Sequence, residues 1–201
     1  MAGDISYTRT AVTLHWLIAL LIVAAFSLGL IMSDMPGLTM TKLKYFSWHK
    51  WLGVTIFILL LARALWRLTH PAPPLPLSMT TWERQVAGWM HRSFYALLVV
   101  IPLSGYFYSL AAGVPVVYLG IIPLPVLIDK NDALKEILDN AHSVLNFSMA
   151  GLVALHVLAG LKHHFVDHDG VLARMLPFLK KNSSVEGLEI NKDWINQNNE
   201  R

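Results

Sequence analysis

Long apolar stretches alternate with polar ones along the chain, and the pattern repeats four times. The apolar runs cover about Ala11–Met32, Trp48–Leu68, Val86–Leu110 and Ala141–His164. Each meets the roughly 20 helical residues that cross a hydrocarbon core. The expected fold is therefore an all-α membrane protein, a four-transmembrane-helix bundle. The first run lacks the short apolar core and small-residue cleavage site of a signal peptide, so it reads as a retained helix. Pro102 falls inside the third run and is expected to kink it, which membrane helices tolerate. The other prolines gather between runs, in HPAPPLPL (His70–Leu77) and GVPVVYLGIIPLPV (Gly113–Val126). The second of these stretches is apolar, but Pro115, Pro123 and Pro125 make it too irregular to span. It is expected to lie along the outer face as a lid. Residues 1–180 read as one domain, and 181–201 as a polar cytoplasmic tail.

Composition strengthens this picture. Hydrophobic residues make up 55% and charged ones 14%, against roughly 25% charged in soluble domains. The absence of cysteine excludes disulfides, iron–sulfur clusters, thiolate zinc sites and c-type haem attachment. The net charge of +3 is dispersed. No nucleic-acid patch, glycine-rich phosphate loop or Gly-x-Ser-x-Gly elbow is present.

Lys and Arg set the orientation. With a cytoplasmic N-terminus, Arg9, Arg63, Arg67, Arg84, Arg92, Lys162, Arg174, Lys180, Lys181, Lys192 and Arg201 lie inside. Lys42, Lys44, Lys50, Lys130 and Lys135 lie outside. Eleven against five places both termini in the cytoplasm.

The histidines then sort into two depths. His49 and His142 form an outer layer. His15, His91 and His156 form an inner one, with His163 deeper still. His142 and His156 are fourteen residues apart on one span, about 21 Å along a helix and within roughly 40° of the same face. A histidine at a helix end is usually an interfacial or hydrogen-bonded residue, but several on different spans sorted into two layers point to ligation. Ionisable side chains inside spans are costly and usually functional, and two facing imidazoles suit the axial positions of a haem iron. A metal carrier is the competing reading. Carriers generally add carboxylates within the spans, and these spans have none at midplane depth.

Small residues follow the same register. Gly29 and Gly105 lie fourteen residues after His15 and His91, while Gly53 and Gly160 lie one turn after His49 and His156. They suit either a close-lying ring or ordinary helix packing. Arg63, fourteen residues after His49, sits at the inner depth, suited to a propionate or a quinone oxygen, or simply to the positive-inside bias. Lys42, Lys44 and Lys50 form a basic outer loop, which steers anions or is merely solvated.

Several segments together resemble the bacterial cytochrome b561 family of di-haem membrane proteins over about Tyr7–Pro177. They are YTRTAVTLHW, WHKWLGV, GWMHRSFYALL, PVVYLGIIPLP, AHSVLNFSMAGLVALH and LKHHFVDHDGVLARMLP, in that order. The chain is also similar to the cytochrome b subunits of membrane formate dehydrogenases and nickel hydrogenases. The resemblance implies a bundle enclosing two haem b groups, the outer on His49 and His142 and the inner on His15 and His156. It implies that His91 and His163 lie on the quinone and proton side, with Arg63 nearby. One branch of the family oxidises superoxide outside and passes electrons to ubiquinone. The implied setting is the bacterial inner membrane, with lipid and the quinone pool as partners and no nucleic acid. The alternatives are a haem-bearing anchor subunit of a larger dehydrogenase or hydrogenase, and the histidine-lined metal carrier. His164 receives no role.

Overall fold

A computed structural model describes residues 6–76, 78–176 and 179; the tail expected over 181–201 lies outside the described residues. The four expected spans are four helices: α1 (Arg9–Asp34), α2 (Met40–Thr69), α3 (Thr81–Ala111) and α4 (Asp132–Phe165). All four are long and apolar enough to cross a membrane.

The helices overrun the apolar runs because polar caps, not hydrophobicity, fix their N-terminal ends. The Thr8 and Thr39 hydroxyls accept the backbone N–H groups of Ala11 and Lys42. At α3, Thr80 and Glu83 form a reciprocal capping box. Before α4, the Asn131 side chain accepts Leu134 N–H at 2.9 Å. Each cap satisfies amides that the first turn of a helix leaves unpaired. α3 continues through Pro102 without a break.

The described chain forms two compact units, Met1–Leu158 and Ala159–Arg201. In the first, α1 packs on α2 and α2 on α3, around Ile18, Ala25 and Ile56. Large apolar side chains such as Leu20, Val23, Leu65, Val144 and Phe147 are exposed along the helices. A protein surface this apolar along whole helices is a lipid-facing surface. The α3–α4 connection, expected to be irregular, contains a small antiparallel hairpin, β1 (Val117–Tyr118) with β2 (Ile122–Pro123). Three residues, Leu119, Gly120 and Ile121, join the paired Tyr118 and Ile122, and Leu119 and Gly120 have φ of 53° and 73°, in the left-handed region that favours glycine and asparagine. Among its described residues the second unit holds the end of α4, a turn and a 3-10 turn at Leu172–Arg174. There Gly160 faces Leu172.

Candidate haem site

The connections place the α1–α2 turn and the hairpin at one end of the bundle. The start of α1 and the α2–α3 connection lie at the other. We call these the hairpin end and the N-terminal end.

At the hairpin end, His49 of α2 faces His142 of α4, with ring centres 6.1 Å apart. His49 Nδ1 is 2.9 Å from the Ala25 carbonyl. A carbonyl only accepts, so Nδ1 carries the proton and Nε2 keeps its lone pair. His142 Nδ1 is 2.9 Å from Ser104 Oγ. That hydroxyl already donates to the Ile101 carbonyl at 2.8 Å. Its one proton is spent, so it accepts from His142 Nδ1–H, and His142 Nε2 is likewise left as a lone pair. Both rings therefore have the tautomer a metal ligand needs, each oriented by a neighbour on another helix.

Two glycines seat this pair. A Cβ on Gly29 would stand 3.4 Å from His49 Cε1, and one on Gly105 only 2.9 Å from His142 Cε1. Sequence spacing linked these glycines to the inner histidines of their own helices. Their close neighbours are the hairpin-end histidines of other helices instead. Gly53 has open space where its Cβ would point.

At the N-terminal end, three imidazoles meet. His156 of α4 is 6.3 Å from His15 of α1 and 5.7 Å from His91 of α3, between ring centres. Phe94 stands edge-on to His156 at 5.3 Å. His91 is exposed, while His15 and His156 are half-buried. His91 also has a backbone partner at Ala87. Arg63 Nη1 donates to the Ala11 carbonyl at 2.6 Å, which sets its guanidinium within electrostatic range of His15 and His91. Its other N–H groups give it capacity for a further acceptor.

The three outer-loop lysines have different surroundings. Lys42 Nζ folds back onto the Met35 carbonyl at 2.7 Å. Lys50 Nζ reaches Ser109 Oγ at 3.3 Å. Lys44 is exposed.

In the second unit, His163 Nδ1 donates to Asp169 Oδ2 at 2.6 Å and lies 3.1 Å from Asp167 Oδ2. Asp169 Oδ1 accepts Val171 N–H, and Lys162 Nζ pairs with Asp167 at 2.8 Å. The three side chains His163, Asp167 and Asp169 are spaced as metal ligands are. However, an ammonium and an imidazole N–H already satisfy the carboxylates, which makes the group an ion-pair clamp. His164 packs edge-on against its neighbour Phe165.

Sequence reasoning passed over Ser104, the Ala25 carbonyl, Asp167 and Asp169. Ser104 carried one signal, since a hydroxyl within a span seeks a partner on another helix.

Residues 6–178 match the family of prokaryotic cytochrome b561. The chain belongs to the prokaryotic cytochrome b561 family. It is 34% identical over 171 residues to "Cytochrome b561 homolog 2" of Escherichia coli (strain K12), covering 85% of this chain and 90% of that one. It is 29% identical over 178 residues to "Probable superoxide oxidase CybB" of Yersinia pestis, covering 85% and 96%. "Cytochrome b561 homolog 1" of Escherichia coli (strain K12) is 24% identical over 171 residues, covering 85% and 97%.

Membership in the cytochrome b561 family implies haem b, and the imidazole pairs fit that group. Such a group would need facing imidazoles with Nε2 free, which His49 and His142 offer at 6.1 Å; at the other end His156 faces both His15 at 6.3 Å and His91 at 5.7 Å.

Proposed function

We propose that this member of the family is a di-haem b cytochrome of the bacterial inner membrane. It carries electrons from an outer donor to the quinone pool, with superoxide as the donor and ubiquinone as the acceptor. The supporting observation is the two imidazole pairs set fourteen residues apart along one continuous α4. His49 and His142 would hold the outer haem, and His15 and His156 the inner one. Both termini face the cytoplasm, so the hairpin end faces outward. When bound, the two haems supply one-electron carriers of the kind needed between a one-electron donor and a two-electron acceptor.

The chain's own residues bind, orient and supply protons. The Ala25 carbonyl and the Ser104 hydroxyl hold the outer imidazoles with Nε2 inward. Lys42, Lys44 and Lys50 make the outer mouth attractive to an anion. His91, beside His156, is read as a proton donor to a reduced quinone, and His163, in its carboxylate clamp, as a second one. Arg63 keeps N–H groups for an anionic oxygen.

The test uses purified haem-loaded protein, a superoxide source and a soluble quinone. Quinol should form in step with superoxide loss, and the haem bands should be reduced transiently. Reduced haem without quinol would mean the acceptor is another protein. Unreduced haem would mean a different donor, as expected for an anchor subunit of a larger enzyme.

A further inference from the structure

We propose that the connection between α3 and α4, over residues 114–128, is immersed in the lipid layer as a re-entrant segment rather than held in water. Four observations carry this.

The first is chemical. No charged residue occurs from Val114 to Ile128; Asp129 and Lys130 come next. The side chains that face outward are apolar: Ile121 is 80% exposed and Leu127 62%, with Leu119, Ile122 and Val126 beside them. Leu119 shares an apolar groove with Leu28 and Ile31 of α1.

The second concerns the backbone. Non-helical chain survives away from water only when its polar groups are satisfied within the protein. Pro115, Pro123 and Pro125 have no N–H. Leu124 N–H bonds Val116, Val114 N–H bonds Ser109, and the turn amides of Gly120 and Ile121 bond the strand before them. The indole N–H of Trp51 donates to the Val117 carbonyl at 2.8 Å, and the Tyr106 hydroxyl donates to the Pro125 carbonyl. A loop in water needs neither indole nor phenol for this.

The third is depth. Trp51 and Thr55, the α2 partners of Val117 and Tyr118, lie about 4.5 and 10.5 Å past Trp48, where the apolar run of α2 begins. The hairpin thus folds back beside the apolar part of α2 and does not project beyond its end.

The fourth is the turn itself. Leu119 occupies a left-handed position that favours Asn or Gly. A leucine there strains the backbone. The side chain so placed lines an open groove of about 530 Å³ whose other walls include Leu28, Ile31, Trp48, Trp51 and Leu52. An acyl chain fits such a surface, and an asparagine tip would serve a water-exposed turn better.

Because the chain has no cysteine, single spin labels can be placed without altering other residues. Ile121→Cys and Leu127→Cys report on the segment, and Asp129→Cys and Lys135→Cys serve as aqueous references, all in haem-loaded protein in lipid nanodiscs. Oxygen should relax the first two labels severalfold more than a water-soluble nickel chelate does, with the reverse at the references. Labels at 121 and 127 that respond mainly to the nickel chelate would overturn the proposal. Labels shielded from both reagents would also overturn it, in favour of a protein partner on this face.

Discussion

The two ends of the bundle solve one problem with different numbers of parts. At the hairpin end, two imidazoles face each other, each has a partner that fixes its tautomer, and a glycine opposes each ring. At the N-terminal end, three imidazoles converge, and His156 lies nearer to His91 than to His15. On the proposed reading, one end seats a single haem with the two imidazoles it needs, and the other has a third histidine, His91, beside its pair. An end that also passes protons would need such an additional group beside its ligands.

The largest effect that tests this contrast is loss of a whole cofactor. His49→Ala or His142→Ala should reduce haem from two per chain to one. His15→Ala should do the same, while His91→Ala should retain both. Haem-to-protein ratios from pyridine haemochrome spectra decide it. If His91→Ala loses haem and His15→Ala does not, the N-terminal pair is His91–His156 and the spare is His15.

Next in size is the orienting hydroxyl. Ser104→Ala removes the acceptor that holds His142 in its tautomer. Haem affinity at the hairpin end should fall by roughly tenfold to a hundredfold, as for other partners of metal-binding histidines. Haem retention during dialysis against apomyoglobin measures it. Unchanged retention would mean that packing, not the hydrogen bond, fixes the ring.

The smallest effect is one of sign. Replacing a helical glycine with alanine ordinarily stabilises by about 0.5–1 kcal/mol. Gly88→Ala should follow that rule, since its new Cβ would meet only the flexible end of Arg92, at 3.9 Å. Gly105→Ala should reverse it, because its Cβ would stand 2.9 Å from His142 Cε1. Thermal melts of the haem-loaded variants compare them; equal shifts would remove Gly105 from the seat.

Four spans, their order and the two histidine depths were legible because they depend on counting along one helix. Hydrophobic length marks a span, and 3.6 residues per turn puts His142 and His156 on one face. Relations between helices were not legible. The pairing of Gly29 with His49 and of Gly105 with His142 depends on how far one helix slides along another, and periodicity within a helix is silent on that. Ser104 and the Ala25 carbonyl were hidden for the same reason. The hairpin was obscured by its prolines and by a leucine where a turn normally shows asparagine. Asp167 and Asp169 sit in a short loop whose polar residues look ordinary until the fold closes them on His163.

The continuous run of α4 from His142 to His156 makes residue count a unit of length and of angle together. One inserted residue between them would lengthen the step by about 1.5 Å but swing one ring by about 100°, away from its partner helix. Only changes near a whole turn, three or four residues, preserve the facing. The spacing of the two pairs is therefore quantised: the side chains between them are free to vary, but their number only by about a whole turn.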